Sequence, residues 1–338
     1  MKLGILGAGM IVRDFLTFAH KVENLELVGI CATPEEAEVV NGLAQQNDIA
    51  FSYTDFNEML INPEIDTIYV AVPNHLHYQF TKKALEVGKH VICEKPFTSN
   101  LEEARELAAM AREKQLFLFE AVSTRFLPNV LKMKELLPKL GKIKIFSANY
   151  SQYSSRYDAF KKGETLPAFD PQKAGGALMD LNIYNINLVV TLFGSPQKVD
   201  YQANIERGID TSGVLILDYG TFKFVGIAAK DCKAPIVTNI QGDQGCLVID
   251  SSANIVDRFT LLMNQATAGQ VSGSGLGETY DENCGKHRMQ HEFEAFIKIV
   301  ASGDDVRADE LLEITLMTMD VQTKARQAAG IVFSRDVG

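Results

Sequence analysis

Short apolar runs alternate with amphipathic segments through the first 120 residues of the chain. The amphipathic segments repeat apolar side chains at helical spacing, and Asn100, ahead of "LEEARELAAMARE", supplies an N-cap for one of them. This alternation predicts a parallel sheet with helices on both faces. Strands are predicted at residues 2–6, 25–31, 67–71, 90–93 and 116–120, and helices at 11–20, 35–46, 76–87 and 101–114.

The pattern changes after about residue 140. Four β-rich segments, "KIKIFSANYSQY", "TSGVLILDY", "FKFVGIAAK" and "GCLVID", predict antiparallel strands, with one helix inserted at residues 175–193. The Gly- and Ser-rich stretch 268–285 predicts a loop. The segment "HRMQHEFEAFIKIV" then predicts a helix whose core-facing side chains recur at helical spacing: Met289, Phe293, Phe296, Ile297 and Val300.

Composition limits the class of protein. A chain of 338 residues exceeds what one core usually holds, so two domains are expected. The net charge of -10 argues against a nucleic-acid surface, and five scattered cysteines without a CxxC pair are typical of a reducing compartment. No segment approaches the roughly 18–20 apolar residues that span a bilayer, and the first apolar run is too short for a signal peptide. We therefore expect a cytoplasmic protein that binds neither membrane nor nucleic acid.

The stretch "LGILGAGMIV" places a glycine pattern directly after the first predicted strand. Gly7 allows a tight turn, Gly9 allows a pyrophosphate to approach the backbone, and a helix starting near Met10 presents N–H groups to phosphates. The third position of the pattern is Val12 rather than Gly or Ala. A plain strand–helix turn is the alternative reading, but the position between a strand and a helix favours a dinucleotide site.

The end of the second predicted strand bears on the choice of cofactor. An Asp or Glu at this point commonly binds the adenosine ribose. This chain has Cys31, Ala32 and Thr33 there, with no acid before Glu35 and no following Arg to bind a 2′-phosphate. The missing acid favours NADP and the missing Arg favours NAD, so that NADP is only slightly preferred over NAD.

Two charges and a proline follow the fourth predicted strand in "HVICEKPF", residues 90–97. Ligands bind at the carboxyl ends of parallel strands, so Glu94 and Lys95 are expected at the same crevice as the glycine turn. A charged pair at a turn is commonly a solvated salt bridge. Pro96, however, restricts Lys95 to extended geometry and permits a cis bond, a constraint that a surface turn rarely needs.

Five motifs, in order along the chain, resemble one family. The glycine turn, "AVPNHLH" at 71–77 and "EKP" at 94–96 resemble the Gfo/Idh/MocA oxidoreductases. "LFLFEAVSTRFLP" at 116–128 and "AGGALMDLNIYNINLVVTLFG" at 174–194 are closer to the branch that holds dimeric dihydrodiol dehydrogenase and glucose–fructose oxidoreductase. The resemblance covers nearly the whole chain apart from residues 250–285.

Patterning and resemblance together predict an α/β fold of two domains. Residues 1–121 would form an N-terminal Rossmann domain, a doubly wound parallel sheet that binds NAD(P). Residues 122–338 would form a C-terminal α+β domain with an open, mainly antiparallel sheet. The resemblance implies that this second domain binds substrate and forms a homo-oligomer, a dimer or larger, through its open sheet.

The resemblance also assigns roles to residues. It implies that Lys95 lies at the nicotinamide and donates a hydrogen bond to the reacting oxygen, that a cis Pro96 aims it, and that Glu94 helps to hold the loop and the cofactor. The residues expected to contact the cofactor are Gly7, Gly9, Met10, Ile11, Ala32, Thr33, Ala71, Pro73, Asn74, His77, Glu94, Lys95 and Arg125.

The apolar helix predicted at 175–193 carries a polar stripe, Asp180, Tyr184 and Asn187, at positions i, i+4 and i+7. Such a stripe faces either solvent or a cleft, and periodicity alone does not choose between them. Alcohol oxidation needs a base for the O–H proton, and a lysine ammonium lowers the pKa of a nearby tyrosine from its reference value of about 10. Together with the resemblance, this favours Lys95 and Tyr184 as the acid–base pair and Asp180 as a residue that binds substrate or orients Lys95.

The predicted function is hydride transfer between NAD(P) and the CH–OH or C=O group of a small-molecule substrate, a sugar, cyclitol or related diol. A non-catalytic dinucleotide-binding regulator on the same scaffold is the alternative. Retention of both Lys95 and Tyr184 favours an enzyme, because a sensor needs neither. His77 is interpreted as a loop or cofactor contact and Arg125 as a contact for phosphate or a polar substrate, and no metal site is expected because no ligand set has a suitable spacing.

Overall fold

A computed structural model describes residues 1–264 and 277–336 of the chain. The chain divides into two compact units. The first unit comprises Met1–Ala121 and Met289–Met319, and the second unit comprises Val122–Arg288 and the residues from Asp320.

The first unit contains a six-stranded sheet in which every neighbouring pair of strands is parallel. Its strands are β1 (Lys2–Leu6), β2 (Glu26–Cys31), β3 (Phe51–Tyr53), β4 (Thr67–Val70), β5 (His90–Glu94) and β6 (Leu118–Ala121), and the intervening helices are α1 (Met10–Leu16), α2 (Ala37–Gln46), α3 (Phe56–Leu60), α4 (His77–Glu86) and α5 (Leu101–Glu113). The strand order is β3-β2-β1-β4-β5-β6, so the chain changes its direction of growth between β1 and β4. The carboxyl ends of these two strands are where such sheets bind ligands.

This doubly wound sheet confirms the prediction, and each of the five predicted strands forms within about two residues of its predicted bounds. Asn100 caps α5 as predicted, because its side-chain oxygen accepts the Glu103 N–H at 2.9 Å. Strand β3 and helix α3 escaped prediction, since three and five residues are too few to show a period. The helix predicted at 11–20 is shorter than expected, because α1 ends at Leu16 and a 3₁₀ turn follows at Ala19–Lys21.

The second unit contains an eight-stranded sheet and several helices. Its elements are α6 (Pro128–Leu136), β7 (Ile143–Ser151), α7 (Tyr157–Lys161), α8 (Ile183–Phe193), β8 (Lys198–Glu206), β9 (Ile209–Asp218), β10 (Lys223–Ala229), β11 (Thr238–Gly242), β12 (Gly245–Ile249), β13 (Phe259–Met263) and β14 (Glu278–Tyr280). The strand order is β14-β13-β12-β11-β7-β10-β9-β8, and the pairs are antiparallel except for the parallel pair of β7 and β10. The open, mainly antiparallel sheet is therefore confirmed.

The helix predicted at 175–193 forms, but its beginning is irregular. A π-helical turn at Leu178–Asn182 runs into α8. Within the described residues, the helical stretch Pro171–Phe193 is long and apolar enough to cross a membrane, so the expectation that no segment approaches that composition was wrong here. Of its most apolar window, 72% is buried inside the fold, and a buried core helix has the same composition, so the stretch is weak evidence for a membrane span.

Helices α9 (Arg288–Ser302) and α10 (Asp305–Ala328) depart from the predicted division of the chain. The ring of Phe293 lies 4.5 Å from that of Phe15, and the ring of Phe296 lies 4.6 Å from that of Phe119. This aromatic packing covers the apolar face of α9 with side chains of the first unit. Assigning residues 289–319 to the second domain was therefore wrong, whereas the boundary after residue 121 lies where the sequence predicts it.

The loop predicted at 268–285 lies partly outside the described residues. In the described part, Glu278–Tyr280 forms β14 and pairs with β13, so the prediction was wrong for these three residues. The core stripe predicted on α9 is confirmed for Met289, Phe293, Phe296 and Ile297, which are buried, whereas Val300 is only partly buried.

Candidate active site

The glycine turn joins β1 to α1 at the carboxyl edge of the first sheet. Gly7 has a φ of 126°, and a Cβ added there would lie 2.3 Å from the carbonyl oxygen of Ala71, so a side chain would not fit. Its N–H donates to the carbonyl oxygen of Cys31 at 2.8 Å, which ties the turn to the end of β2. A Cβ added at Gly9 would meet nothing within 4 Å, and Met10 beside it is 70% exposed. This open backbone turn at a strand–helix junction fits a dinucleotide pyrophosphate.

The end of β2 presents no acid where a ribose-binding Asp or Glu is common. Cys31 is buried, and burial raises the pKa of its thiol to about 12, so the thiol stays protonated. The N–H of Ala32 donates to the carbonyl oxygen of Tyr53 at 3.3 Å, and the exposed Thr33 follows. This edge of the site is therefore neutral as far as Glu35, which is exposed and whose pKa is lowered by its backbone hydrogen bond and by Thr33.

The turn after β5 holds Lys95 between two fixed neighbours. Glu94 extends the strand by one residue beyond the prediction and is buried. Its carboxylate accepts the Tyr69 hydroxyl at 2.5 Å and the Lys95 N–H at 3.2 Å. The Lys95–Pro96 peptide bond is cis, as the resemblance implied. The direction in which the chain leaves β5 is thus set by tertiary contacts on one side and by the proline ring on the other.

His77 connects this turn to the loop after β4. The ring is fully buried, with Nδ1 2.8 Å from the carbonyl oxygen of Pro96 and Nε2 2.8 Å from that of Val72. Burial lowers the pKa of His77 to about 4, so the imidazole is neutral at physiological pH. Its contacts fit the predicted loop role. Together with Ala71, Pro73 and Asn74, it belongs to the segment that follows the carboxyl end of β4.

The polar stripe of the inserted helix divides into residues of different environments within the second unit. Asn187 is fully buried, and its side-chain oxygen accepts from Nε of Arg125 at 2.8 Å. Tyr184 is largely buried, with its ring centroid 6.1 Å from that of Tyr150. The Asp180 side chain is 37% exposed. The stripe is therefore not a uniform solvated edge, because its C-terminal member packs inside the unit and its N-terminal member reaches the surface.

Two charged residues near this helix escaped sequence reasoning. Lys230, directly after β10, is buried and places its ammonium 2.7 Å from Oδ2 of Asp180. Asp210, on β9, is buried and accepts the Leu178 N–H at 2.6 Å and the Tyr201 hydroxyl at 2.7 Å. Part of a signal existed for Lys230, because it directly follows an apolar strand as Lys95 does, but it lacks the neighbouring proline that singled out Lys95.

The predicted residues fall into two groups, one in each unit. The first unit brings together the ends of β1, β2, β4 and β5, and with them the predicted cofactor contacts from Gly7 to Lys95. The second unit holds Arg125 together with Asp180 and Tyr184. Within residues 1–264 and 277–336, no group of three or more His, Cys, Asp or Glu side chains is arranged to hold a metal ion.

Comparison with known proteins places both parts of the chain. A family model described as an oxidoreductase family with an NAD-binding Rossmann fold matches residues 1–122, and a GFO/IDH/MocA C-terminal domain model matches residues 130–248. The chain is 33% identical to the scyllo-inositol 2-dehydrogenase (NADP(+)) IolU of Bacillus subtilis (strain 168), over 99% of both chains. The chain belongs to the GFO/IDH/MocA oxidoreductase family. Its resemblance to that family, inferred from five motifs, is thereby confirmed.

Further relatives agree with this membership. The D-xylose 1-dehydrogenase (NADP(+)) of Hypocrea jecorina is 30% identical, over 98% of this chain and 93% of the relative. A solved structure of KijD10, a 3-ketoreductase from Actinomadura kijaniata in complex with NADP and TDP-benzene, superposes with a TM-score of 0.82 at 19% identity, covering 98% of this chain and 99% of that one. The solved structure supports the fold, and the family match identifies this GFO/IDH/MocA protein as an NAD(P)-dependent dehydrogenase.

Proposed function

We propose that this enzyme oxidises a secondary alcohol of a sugar, cyclitol or related diol to the ketone, or reduces the ketone, and that it prefers NADP. The position of Lys95, directly after β5 at the carboxyl edge of the Rossmann sheet, carries the proposal. Lys95 follows β5 beside a dinucleotide turn, and its N–H is bonded to the buried Glu94, so it is placed for chemistry rather than for solvation. The inositol and xylose dehydrogenases among the relatives support a polyhydroxylated substrate.

The residues would divide the proton chemistry among them. When bound, the nicotinamide supplies or accepts the hydride. Lys95 donates a hydrogen bond to the reacting oxygen. Tyr184 takes the hydroxyl proton during oxidation and returns it during reduction. Asp180 accepts a hydrogen bond from a substrate hydroxyl.

Two substitutions test these roles. Lys95→Ala and Tyr184→Phe should each lower turnover by roughly 10²–10⁴ while the variants still fold and bind the cofactor. Since Lys95 and Tyr184 serve one proton transfer in this proposal, the double variant should lose little more than the worse single variant. Steady-state kinetics on a panel of sugars, cyclitols and diols, with calorimetric titration of NAD and NADP, gives both readouts.

Tyr219→Phe is the matched control, because the Tyr219 hydroxyl donates to the carbonyl oxygen of Gly194 at the other end of α8, 2.9 Å away. In the wild type, oxidation should rise with pH through one ionisation, and Tyr184→Phe alone should lose that dependence. Near-normal turnover of Tyr184→Phe would assign the proton transfer to another group. Tight dinucleotide binding with no turnover on any substrate of the panel would favour the regulator instead.

Two further properties belong to this proposal. We place the enzyme in the cytoplasm, supported by its five cysteines, which are all free thiols in the structure. We also expect it to act as a homo-oligomer, in which the accessible apolar face of the second sheet would form the contact.

A further inference from the structure

Lys230 is a buried lysine in the second unit with three partners around its ammonium. Nζ lies 2.7 Å from Oδ2 of Asp180, donates to the carbonyl oxygen of Ala168 at 3.1 Å and lies 5.0 Å from the ring centroid of Phe169. The side chain is 3% exposed, whereas that of Asp180 is 37% exposed. The cation is thus inside the unit while its carboxylate partner reaches the surface.

This arrangement does not serve stability efficiently. Lysine is rarely buried, and removing an ammonium from water carries a desolvation cost that its partners must offset. A buried ion pair is therefore weak grounds for a stabilising role. The exposed carboxylate of Asp180 belongs to the proposed site, so the buried lysine is better explained by what it does to that carboxylate.

The backbone N–H and the carbonyl oxygen of Lys230 are both hydrogen-bonded to neighbouring segments. Its own N–H donates to the carbonyl oxygen of Thr211 at 2.8 Å, and its carbonyl oxygen accepts the N–H of Ser154 at 2.9 Å. Phe169, against which the ammonium lies, is fully buried and stacks on Phe160 with centroids 4.8 Å apart. A cation fixed to a strand end and packed against an aromatic cluster has little freedom to follow its partner.

The same ammonium reaches the segment that leads into the catalytic helix. The carbonyl oxygen of Ala168 accepts both Nζ of Lys230 and the N–H of Gly176, the latter at 3.1 Å. The N–H of Asp180 in turn donates to the carbonyl oxygen of Gly176 at 3.1 Å. Lys230 therefore holds Asp180 through its side chain and through the turn that starts its helix.

We propose that Lys230 is a positioning residue that holds the Asp180 carboxylate ionised and in one orientation, so that it accepts a hydrogen bond from a substrate hydroxyl. This inference rests on the proposed function, in which Asp180 contacts substrate. Lys230 itself touches neither substrate nor cofactor in this scheme. It acts by reducing the number of orientations that Asp180 samples, and misplacement of a catalytic-site group by about 1 Å can cost about 10²-fold in rate.

The test compares Lys230→Met with Lys223→Met. Both lysines belong to the same strand region, but Lys223 pairs with Asp218 at the surface, where their side chains are 51% and 28% exposed. Lys230→Met should lower kcat/KM by about tenfold to 10²-fold on a verified substrate, whereas Lys223→Met should leave it unchanged. Affinity for NADP, measured by calorimetry, should be the same in both variants.

The pH profile separates positioning from a merely structural role. Without the ammonium, Asp180 should protonate at higher pH, so the kcat/KM profile of Lys230→Met should gain a loss of activity on the acid side. Asp210 also feels the Lys230 charge, and Asp231 follows Lys230 in the chain. If protonation of Asp180 causes this loss of activity at low pH, the loss must be absent from the double variant Asp180→Asn/Lys230→Met. If protonation of Asp210 or Asp231 causes it, the loss must persist in the double variant.

The double variant also guards against a folding defect, because it removes both charges of the pair instead of stranding one. It should fold, and it should be no less active than Asp180→Asn alone. A normal pH profile and normal kcat/KM in Lys230→Met, with an impaired Asp180→Asn, would overturn the positioning role and leave the proposed function intact. The positioning role is also overturned if Lys230→Met lowers only the Tm, or if the loss of activity at low pH persists in the double variant. A fully active Asp180→Asn would overturn this inference together with the role of Asp180, while the Lys95 and Tyr184 variants would still decide the proposed function.

Discussion

At the scale of single residues, the dinucleotide turn needs its two glycines for different reasons. Gly7 has a φ of 126° and lies against the Ala71 carbonyl, so its backbone conformation and its close packing both exclude a side chain. Gly9 has open space above it, so the protein itself would tolerate a side chain there. The requirement for glycine at residue 9 therefore comes from the ligand, whose phosphates approach the backbone.

The neutral end of β2 leads to a prediction about cofactor choice. Ala32→Asp should lower affinity for NADP relative to NAD by about tenfold or more, because a carboxylate there would repel the 2′-phosphate and accept hydrogen bonds from a free ribose. Calorimetric titration of both cofactors measures the ratio, with Ala32→Ser as the uncharged control. An unchanged ratio in Ala32→Asp would mean that the adenosine ribose does not lie at this strand end.

At the scale of elements, the helix that carries Asp180 and Tyr184 is fixed at its start by a neighbouring strand. Asp210 of β9 accepts the N–H of Leu178, the first residue of the π-helical turn. Gly176 has a φ of 104°, and a Cβ added there would lie 2.1 Å from Oδ1 of Asp210. The contact between the buried Asp210 carboxylate and Gly176 therefore sets where the helix begins.

The burial of Asp210 at this contact predicts that the stability of the fold depends on pH. Burial raises the pKa of Asp210 from 3.8 to about 6, despite its bonds from Leu178 and Tyr201 and the charge of Lys230. Between these values the folded state holds a proton that the unfolded chain has released, so the free energy of unfolding falls as pH rises through this window. His77 acts in the opposite direction, because its pKa is lowered from 6.5 to about 4 and folding excludes the proton that the unfolded chain binds.

Asp210→Asn should remove the fall in stability with rising pH that Asp210 causes and leave the rise that His77 causes. The variant should therefore gain more stability between about pH 4 and 6.5 than the wild type does. Urea unfolding followed by circular dichroism at several pH values in this range measures the slopes. Asp218→Asn, a change at a partly buried residue at the end of the same strand, should keep the wild-type slope. Parallel curves for Asp210→Asn and the wild type would show that Asp210 is ionised throughout this range.

At the scale of the whole molecule, one face of the second sheet is rich in apolar side chains that the fold leaves accessible. Cross-strand register places Val225 opposite Ile216 on β9 and Ile227 opposite Val214. Ile145 of β7 is 45% exposed and Ile216 is 38% exposed. A contiguous apolar sheet face of this kind commonly packs against another surface.

We predict that a second copy of the chain covers this face, giving a dimer or a larger assembly at micromolar concentration. Ile216→Glu should weaken the assembly by burying a charge in the contact, whereas Ile61→Glu, at a 78% exposed position of the first unit, should not. Sedimentation velocity distinguishes the species. A wild-type protein that sediments only as a 37.3 kDa monomer would contradict this prediction.

Local patterns were sufficient for the first sheet, the glycine turn and the cap of α5, because each depends on residues close together in the chain. The sequence by itself therefore determined the class of fold, the dinucleotide turn and the lysine that follows β5. Elements as short as β3 are too short to show a repeat of apolar residues. The sequence around Phe293 did not indicate that its ring would pack against Phe15 and Tyr69, some 220 residues or more away.

Only the tertiary structure decided the environments of the charged groups. Whether a lysine such as Lys230 is solvated or buried depends on contacts with Asp180 and Ala168, 50 and 62 residues away. The pKa of His77 or Asp210 depends on how much water the surrounding chain excludes, and hydrophobic periodicity does not report that quantity. Secondary structure follows from neighbours in sequence, whereas burial and charge pairing follow from neighbours in space.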